Sequence, residues 1–104
     1  MSSITKVRKL WKEHLAIPFP EECGTEVSGI DLMTLDTISA GCISTFLDGK
    51  GNPDLQRTSI PGICYRDLTF VTGRFDGKGK EYFSRLEQLA GLVLREVRDR
   101  NQNN

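Results

Sequence analysis

The feature that most constrains the fold is a long run of regularly spaced apolar residues in the last third of the chain. Between about residues 79 and 100, apolar side chains recur every three or four positions: Tyr82, Phe83, Leu86, Leu89, Ala90, Val93, Leu94 and Val97. This period predicts one long amphipathic helix. Together with Leu92, these residues span a wider arc than one neighbouring helix covers, so a homo-oligomer is also predicted.

Two segments in the first half of the chain also have helical spacing. Residues 3–16 are predicted to form a helix that ends at the prolines following it. A second helix is predicted to begin at Asp36, whose carboxylate can accept hydrogen bonds from N–H groups of the first turn. Gly49 or Gly51 is expected to end this helix. Its predicted apolar stripe consists of Ile38, Cys42, Ile43, Phe46 and Leu47.

A third helix is predicted from Asn52, because Asn is a good N-cap and Pro53 fits the first helical position. This helix then meets Pro61-Gly62, where it is expected to kink or break and to restart near Ile63.

The four residues Asp-Gly-Lys-Gly occur twice, at positions 48–51 and 76–79. In neither copy does the spacing match a calcium-binding loop, because a lysine stands where an oxygen ligand is needed. We interpret both copies as turns between helices. Glycine would supply a positive φ just past a helix end, and lysine would lie near the negative end of the helix dipole.

The segment from about residue 17 to 35 has no regular period, because prolines and glycines interrupt it. A short strand at about residues 30–34 is predicted, with Glu26-Val27 as its only nearby partner. The predicted fold is therefore mainly α. It is an antiparallel bundle of four main helices, the third kinked or split at Pro61, with this irregular extended segment lying across it. The chain, 1–104, is expected to be a single domain with a frayed tail at 98–104.

Charge and cysteine content limit the classes of function. Fourteen basic and fourteen acidic residues give a net charge of zero, whereas nucleic-acid-binding domains are usually strongly basic. Cys23, Cys42 and Cys64 are odd in number and form no C-x-x-C pair, so neither a zinc site nor a disulfide framework is predicted. No signal-peptide pattern and no long apolar run are found. We therefore expect a cytoplasmic protein without a membrane span, a metal or a cofactor.

The sequence contains no phosphate-binding loop and no nucleophile elbow, but three residues are candidates for chemistry. Cys23 lies in the irregular segment, where its thiol is expected to be exposed and available as a nucleophile or redox sensor. His14, the one histidine, could act as a base, and Asp31 is an acid without an evident capping role. Cys42 and Cys64 fall among apolar residues and are expected to be inert.

The foremost prediction of function is a non-catalytic interaction protein, such as a small regulatory or inhibitor-type subunit that binds a protein partner. Its expected binding residues lie in the irregular segment and are Phe19, Val27, Ile30 and Met33. The alternative is a small thiol-dependent enzyme or redox sensor that uses Cys23. A further alternative is weak nucleic-acid binding through basic helix ends. Those ends carry Lys6, Arg8, Lys9 and Lys12, and Arg95, Arg98 and Arg100.

Overall fold

The computed structural model describes residues 3–49 and 59–102. In chain order the elements are α1 (Ser3–Leu15), a 3₁₀ turn (Glu21–Cys23), β1 (Glu26–Val27), β2 (Ile30–Asp31), α2 (Leu32–Asp48), α3 (Ser59–Thr72) and α4 (Gly77–Gln102). The four helices pack against each other, and the two strands form one small antiparallel sheet. The predicted mainly α bundle of four helices is thereby confirmed.

The centre of the bundle is α4, which contacts α1, α2 and α3. Its buried hydrophobic residues are Tyr82, Phe83, Leu86, Leu89, Ala90, Val93, Leu94 and Val97, and Leu92 is half-buried against the same core. Three neighbouring helices therefore cover the wide apolar arc within a single chain. The arc no longer argues for a homo-oligomer, and self-association stays a prediction without this support.

Aromatic contacts hold the segment between α1 and β1 on the bundle. Phe19 packs edge-to-face on Tyr82 and Phe83, with ring centroids 5.4 and 6.0 Å apart. Phe75, from the α3–α4 connection, stacks on Phe83 at 5.6 Å. Such ring pairs stabilise by about 0.5–1.5 kcal/mol beyond the burial of their area. They therefore fix a segment that has little secondary structure of its own.

The predicted strand pair is present, and Val27 of β1 lies opposite Ile30 of β2. Ser28 and Gly29 connect the strands with φ values of +50° and +85°. A tight two-residue hairpin of type I′ requires positive φ at both positions, which Gly adopts easily and Ser less so. The second strand is shorter than predicted, because α2 already begins at Leu32 instead of after residue 34.

The N-cap of α2 is Asp31, and the prediction of Asp36 for this role was wrong. The Asp31 carboxylate accepts a hydrogen bond from the backbone N–H of Thr34 at 2.8 Å. Asp31 is the last residue of β2 and therefore has the extended backbone that a helix cap needs, with φ −75° and ψ 116°. Asp36 lies five residues further on, where it accepts a hydrogen bond from the Tyr82 hydroxyl at 2.6 Å.

The buried face of α2 also differs from the predicted stripe. Its buried residues are Leu32, Leu35, Ser39, Ile43 and Phe46. Ile38 is 45% exposed, and Cys42 is half-buried. α2 carries apolar residues on more than one side, so its period alone does not decide which side faces α3 and α4.

Helix α3 runs without interruption from Ser59 through Pro61 and Gly62 to Thr72, so no restart occurs near Ile63. Pro61 lies in the first described turn, where the missing N–H of proline costs little. The predicted helix start at Asn52-Pro53 lies outside the described residues.

The two Asp-Gly-Lys-Gly copies differ in their structural roles. In the first copy Gly49 follows the end of α2 with φ −81°, which is not the positive value that was predicted. The rest of that copy lies outside the described residues. The second copy begins α4, and Gly77 has φ +62°. Lys78 therefore lies at the N-terminal end of a helix, not near a C-terminus as predicted.

Gly79, in the first turn of α4, lies close to the irregular segment. A Cβ atom at Gly79 would lie 2.5 Å from the Sγ atom of Cys23. We expect Gly79→Ala to lower the free energy of unfolding by about 1–3 kcal/mol, because α4 and Cys23 would have to move apart. Urea denaturation followed by circular dichroism measures this change.

The matched control is Gly41→Ala, because a Cβ atom at this exposed position of α2 would meet nothing within 4 Å. It should raise the free energy of unfolding by about 0.5–1 kcal/mol, since alanine is favoured over glycine inside a helix. Adding Cys23→Ala to Gly79→Ala should recover part of the loss. Equal effects of the two glycine substitutions would contradict the close approach of Cys23 to α4.

Candidate functional site

A groove of about 580 Å³ lies between the first half of α2 and the start of α3. Its lining residues are Gly29, Ile30, Asp31, Thr34, Leu35, Ile38, Ile60, Ile63, Cys64 and Asp67. The hairpin and the Asp31 cap place one wall of the groove, and the opening of α3 supplies the other. The groove is therefore mostly apolar, with two carboxylates among its polar groups.

Three isoleucines of the groove are well exposed. Ile38, Ile60 and Ile63 expose 45%, 41% and 49% of their surface. Single exposed apolar residues are common on protein surfaces, but three around one concave apolar groove are informative. The arrangement is typical of a surface that binds another apolar group.

The charge at this groove is negative. Asp31 and Asp67 line it, and its lining contains no lysine or arginine. Arg66, which precedes Asp67 in the chain, has its guanidinium 3.8 Å from the Asp67 carboxylate, and its own side chain is 76% exposed. An exposed ion pair of this kind contributes little stability and is easily exchanged for another cation. A ligand of this groove should therefore combine apolar and basic groups.

Two cysteines meet where α2 packs on α3, at the edge of the groove. The Cys42 thiol of α2 hydrogen-bonds with the Cys64 sulfur of α3, and Cys64 also lines the groove. Cys64 is buried and Cys42 is half-buried. Cys23, Cys42 and Cys64 all lie in the described part of the chain, and no disulfide joins any of them.

The Cys64 thiol is acidic for a buried cysteine. The hydrogen bond from Cys42, with a smaller contribution from Ser39, lowers its pKa to about 7, although burial and the Asp67 charge act in the opposite direction. Ser39 is itself buried, and its hydroxyl has no hydrogen-bond partner that meets the usual distance and angle. A larger share of Cys64 is therefore thiolate at neutral pH than of an ordinary cysteine.

Cys23, the thiol favoured by the sequence, is buried rather than exposed. Only 8% of its surface is accessible, and it packs against Gly79. Burial and the nearby Glu22 charge raise the pKa of the Cys23 thiol. Both effects reduce the nucleophilicity of Cys23 at neutral pH. This geometry therefore does not support a catalytic role for Cys23.

His14 lies inside the bundle among aromatic rings. It is 4% exposed, and its ring lies 5.9 Å from that of Trp11 and 4.5 Å from that of Tyr82. Its Nδ1 atom is buried without a hydrogen-bond partner. Burial lowers the pKa of His14, the Arg85 charge lowers it further, and Asp36 opposes both. The neutral imidazole therefore predominates, packed as an aromatic ring.

Tyr82 joins the histidine to the polar part of this cluster. It donates the hydrogen bond to Asp36 described above, and burial together with that carboxylate raises the pKa of Tyr82 far above its usual range. The hydroxyl therefore stays protonated and acts as a fixed donor that links α4 to α2. This hydrogen bond stabilises the packing of α4 on α2, and the role of His14 as a base stays a prediction.

The remaining predicted site residues divide between the core and the surface. Phe19, Val27 and Ile30 are half-buried and pack against the core, whereas Met33 is 52% exposed. Of these four, only Ile30 lines the groove. Asp31 also lines it, and the Thr34 backbone N–H lowers the pKa of its carboxyl. Asp31 thus has the capping role that the sequence did not reveal.

The basic ends of the chain partly converge. Lys6 of α1 and Arg95 and Arg98 of α4 line one cleft of about 720 Å³, but Glu87 and Asp99 line it as well. The acids offset most of the positive charge that a phosphate backbone would need. Weak nucleic-acid binding stays a prediction.

The described residues contain no group of three or more His, Cys, Asp or Glu side chains that could hold a metal ion. In residues 3–49 and 59–102, none of the helices combines the length and hydrophobicity needed to cross a bilayer. No protein-family model matches the chain, and no curated protein and no solved structure is significantly similar to it. The site must therefore be interpreted from its own chemistry.

Sequence reasoning missed the groove isoleucines of α3 and the Cys42–Cys64 pair. The available signal was that Cys42 and Ser39 are one turn apart on α2, so a single neighbouring thiol can contact both. That signal does not indicate which residue of α3 faces them. The phase of α3 against α2 depends on how both helices pack on α4.

The buried histidine predicts a specific dependence of stability on pH. The pKa of His14 is lowered from 6.5 in the folded chain, so the unfolded chain binds more protons below that pH. Stability should be fully present above 6.5 and should fall as the pH drops toward the folded-state value. In His14→Phe, which keeps an aromatic ring but cannot be protonated, this loss should be smaller. Urea denaturation at a series of pH values measures it.

The control is Trp11→Phe, which replaces the indole beside His14 by a smaller aromatic ring but leaves the titrating group in place. This variant should be less stable at every pH while keeping the dependence of the wild type. An unchanged acid dependence in His14→Phe would show that other groups, such as carboxylates, account for it.

Proposed function

We propose that this protein is a small, non-catalytic interaction module whose α2–α3 groove binds an amphipathic helix of a partner protein. The partner helix would insert apolar side chains into the groove and place lysine or arginine at its flanks. The observation that carries this proposal is the cluster of three exposed isoleucines, Ile38, Ile60 and Ile63, around a groove whose charged groups are both acidic.

The apolar part of the groove can supply a modest binding energy. Complete burial of an isoleucine side chain is worth about 1.5–3 kcal/mol, so covering the exposed half of one adds roughly 1 kcal/mol. The three isoleucines together then supply about 3 kcal/mol before the partner's own apolar anchors are counted. Ordering of the partner helix offsets part of this gain. The balance is typical of a transient regulatory contact.

The shape of the groove favours a helix as its occupant. Its two walls are helices, and the facing isoleucines come from different helices, so a third helix can pack its own ridge between them. Apolar anchors at i, i+3 or i+4 would then meet Ile38 on one side and Ile60 and Ile63 on the other. Asp31 and Asp67 would lie within reach of basic residues that flank those anchors.

Three further predictions from the sequence stay open beside this proposal. They are a cytoplasmic location, a thiol-dependent role for Cys23 and weak nucleic-acid binding. The partner-binding role of Phe19 and Val27 has less support, because both residues pack against the protein's own core. Ile30 and the neighbouring Asp31 keep their support because they line the groove.

A pair of synthetic helical peptides tests the groove directly. Both peptides carry leucine anchors at i, i+4 spacing, with lysines at both ends of one and glutamates at both ends of the other. At low ionic strength the lysine peptide should bind at least about tenfold more tightly, because the groove is acidic. Fluorescence anisotropy measures the affinities, and chemical-shift changes of the labelled protein map the site.

Variants of the protein provide the second arm of this test. Ile38→Asp and Ile63→Asp should each weaken binding of the lysine peptide by about tenfold or more, because a carboxylate would be buried against the apolar anchors. Ile17→Asp is the matched control, since Ile17 is 40% exposed and lies outside the groove. If Ile17→Asp weakened binding as much as the groove variants, or if both peptides bound equally, the proposal would be refuted.

A further inference from the structure

We propose that Cys42 and Cys64 form a redox-active dithiol. Cys64 reacts with a low-molecular-weight organic disulfide, and the pair then closes to an intramolecular Cys42–Cys64 disulfide that joins α2 to α3. This proposal does not depend on the partner-binding role of the groove.

The arrangement of the two thiols carries the proposal. They come from different helices and hydrogen-bond to each other across the α2–α3 contact. A disulfide requires its two Cβ atoms to lie about 3.8 Å apart, and helices packed side by side can bring facing Cβ atoms this close. Cys64 lines the groove of about 580 Å³, which gives a small reagent a route to its sulfur.

The buried Ser39 hydroxyl is a second observation that supports the proposal. Ser39 is 1% exposed, and its Oγ atom has no hydrogen-bond partner that would explain its burial. A buried hydroxyl without a partner destabilises a fold, so it needs a reason. Its position beside Cys64 supplies one, because it can donate a hydrogen bond to the sulfur when that sulfur becomes a thiolate.

The reaction proceeds in two balanced exchanges. The Cys64 thiolate attacks one sulfur of the reagent R–S–S–R, a bond forms between Cys64 and that sulfur, and one thiolate R–S⁻ leaves. Cys42 then loses its proton and attacks the Cys64 sulfur, and the second R–S⁻ leaves. The protein is oxidised by two electrons, and the reagent is reduced to two thiols. An excess of thiol reverses both steps.

The roles of the three cysteines should differ in a way that a generic oxidation would not reproduce. Cys64 is the attacking thiol, and Cys42 is the resolving thiol. Cys23 should remain reduced, because it packs against Gly79 of α4, does not line the groove, and has a raised pKa. Because the chain has three cysteines, a Cys42–Cys64 disulfide leaves the Cys23 thiol for labelling.

Reaction of the full chain with glutathione disulfide tests the proposal. The protein is reduced, transferred to buffers with a graded ratio of glutathione disulfide to glutathione, and quenched with N-ethylmaleimide. Intact mass spectrometry should show a species lighter by two hydrogen atoms with one remaining labelled thiol. Peptide mapping should place the disulfide at Cys42–Cys64 and the label at Cys23. At neutral pH this oxidation should be at least about tenfold faster than modification of Cys23.

Single substitutions separate the steps. Cys42→Ser should stop at a stable mixed disulfide of glutathione with Cys64, and Cys64→Ser should react much more slowly. Ser39→Ala keeps both thiols and should slow the reaction at neutral pH by a few-fold while leaving it unchanged in strongly alkaline buffer. Circular dichroism confirms that each variant is folded, and Cys23→Ser, which lacks the third thiol, should oxidise like the wild type.

Several outcomes would overturn the proposal. One is oxidation that occurs first at Cys23, or only between two chains. Another is a mixed disulfide on Cys42→Ser that forms no faster than on an unfolded peptide containing Cys64. If Ser39→Ala and the wild type had the same pH dependence of the rate, the hydroxyl would have no part in the chemistry.

Discussion

The burial of one wide apolar arc on α4 is the constraint on which the rest of this structure depends. No single helix can cover that arc, so α1, α2 and α3 each take a part of it. The aromatic end of the arc, at Tyr82 and Phe83, also holds Phe19 and with it the irregular segment. Because α2 and α3 direct their main apolar faces toward α4, their outward edges are left to form a groove.

The parts of the fold that could be predicted from sequence are those in which the local residue pattern is compatible with only one secondary structure. The long run of apolar residues at three- and four-residue spacing in α4 is compatible only with a helix. The hairpin pairs β1 with β2, the two short segments that the sequence predicted to pair. The start of α2 was predicted wrongly, because the sequence pattern assigned its cap to Asp36 alone. Asp31 and Asp36 are equally good by type, and the choice was made by the extended backbone that β2 imposes on Asp31.

The candidate site was less predictable, because it depends on the rotation of helices about their own axes. Ile38 and Ile43 both fit an apolar stripe, yet one is exposed in the groove and the other is fully buried. The same rotation brings Cys42 to Cys64, which are distant in sequence. Sequence reasoning ranked Cys23 first because it lies in an irregular segment, but Gly79 leaves space for that segment to pack its thiol inward.

The energetic cost of Ser39 connects the groove with the thiol pair. An apolar residue of similar size would pack equally well at this position of α2 and would avoid an unsatisfied hydroxyl, which costs about 1–3 kcal/mol. A neutral thiol at Cys64 offers only a weak acceptor, whereas a thiolate offers a strong one. The Ser39 hydroxyl therefore gains a strong hydrogen-bond acceptor only when Cys64 is a thiolate. Since the Cys64 sulfur lines the groove between α2 and α3, the exposed isoleucines and this buried thiol with a lowered pKa belong to the same face of the protein.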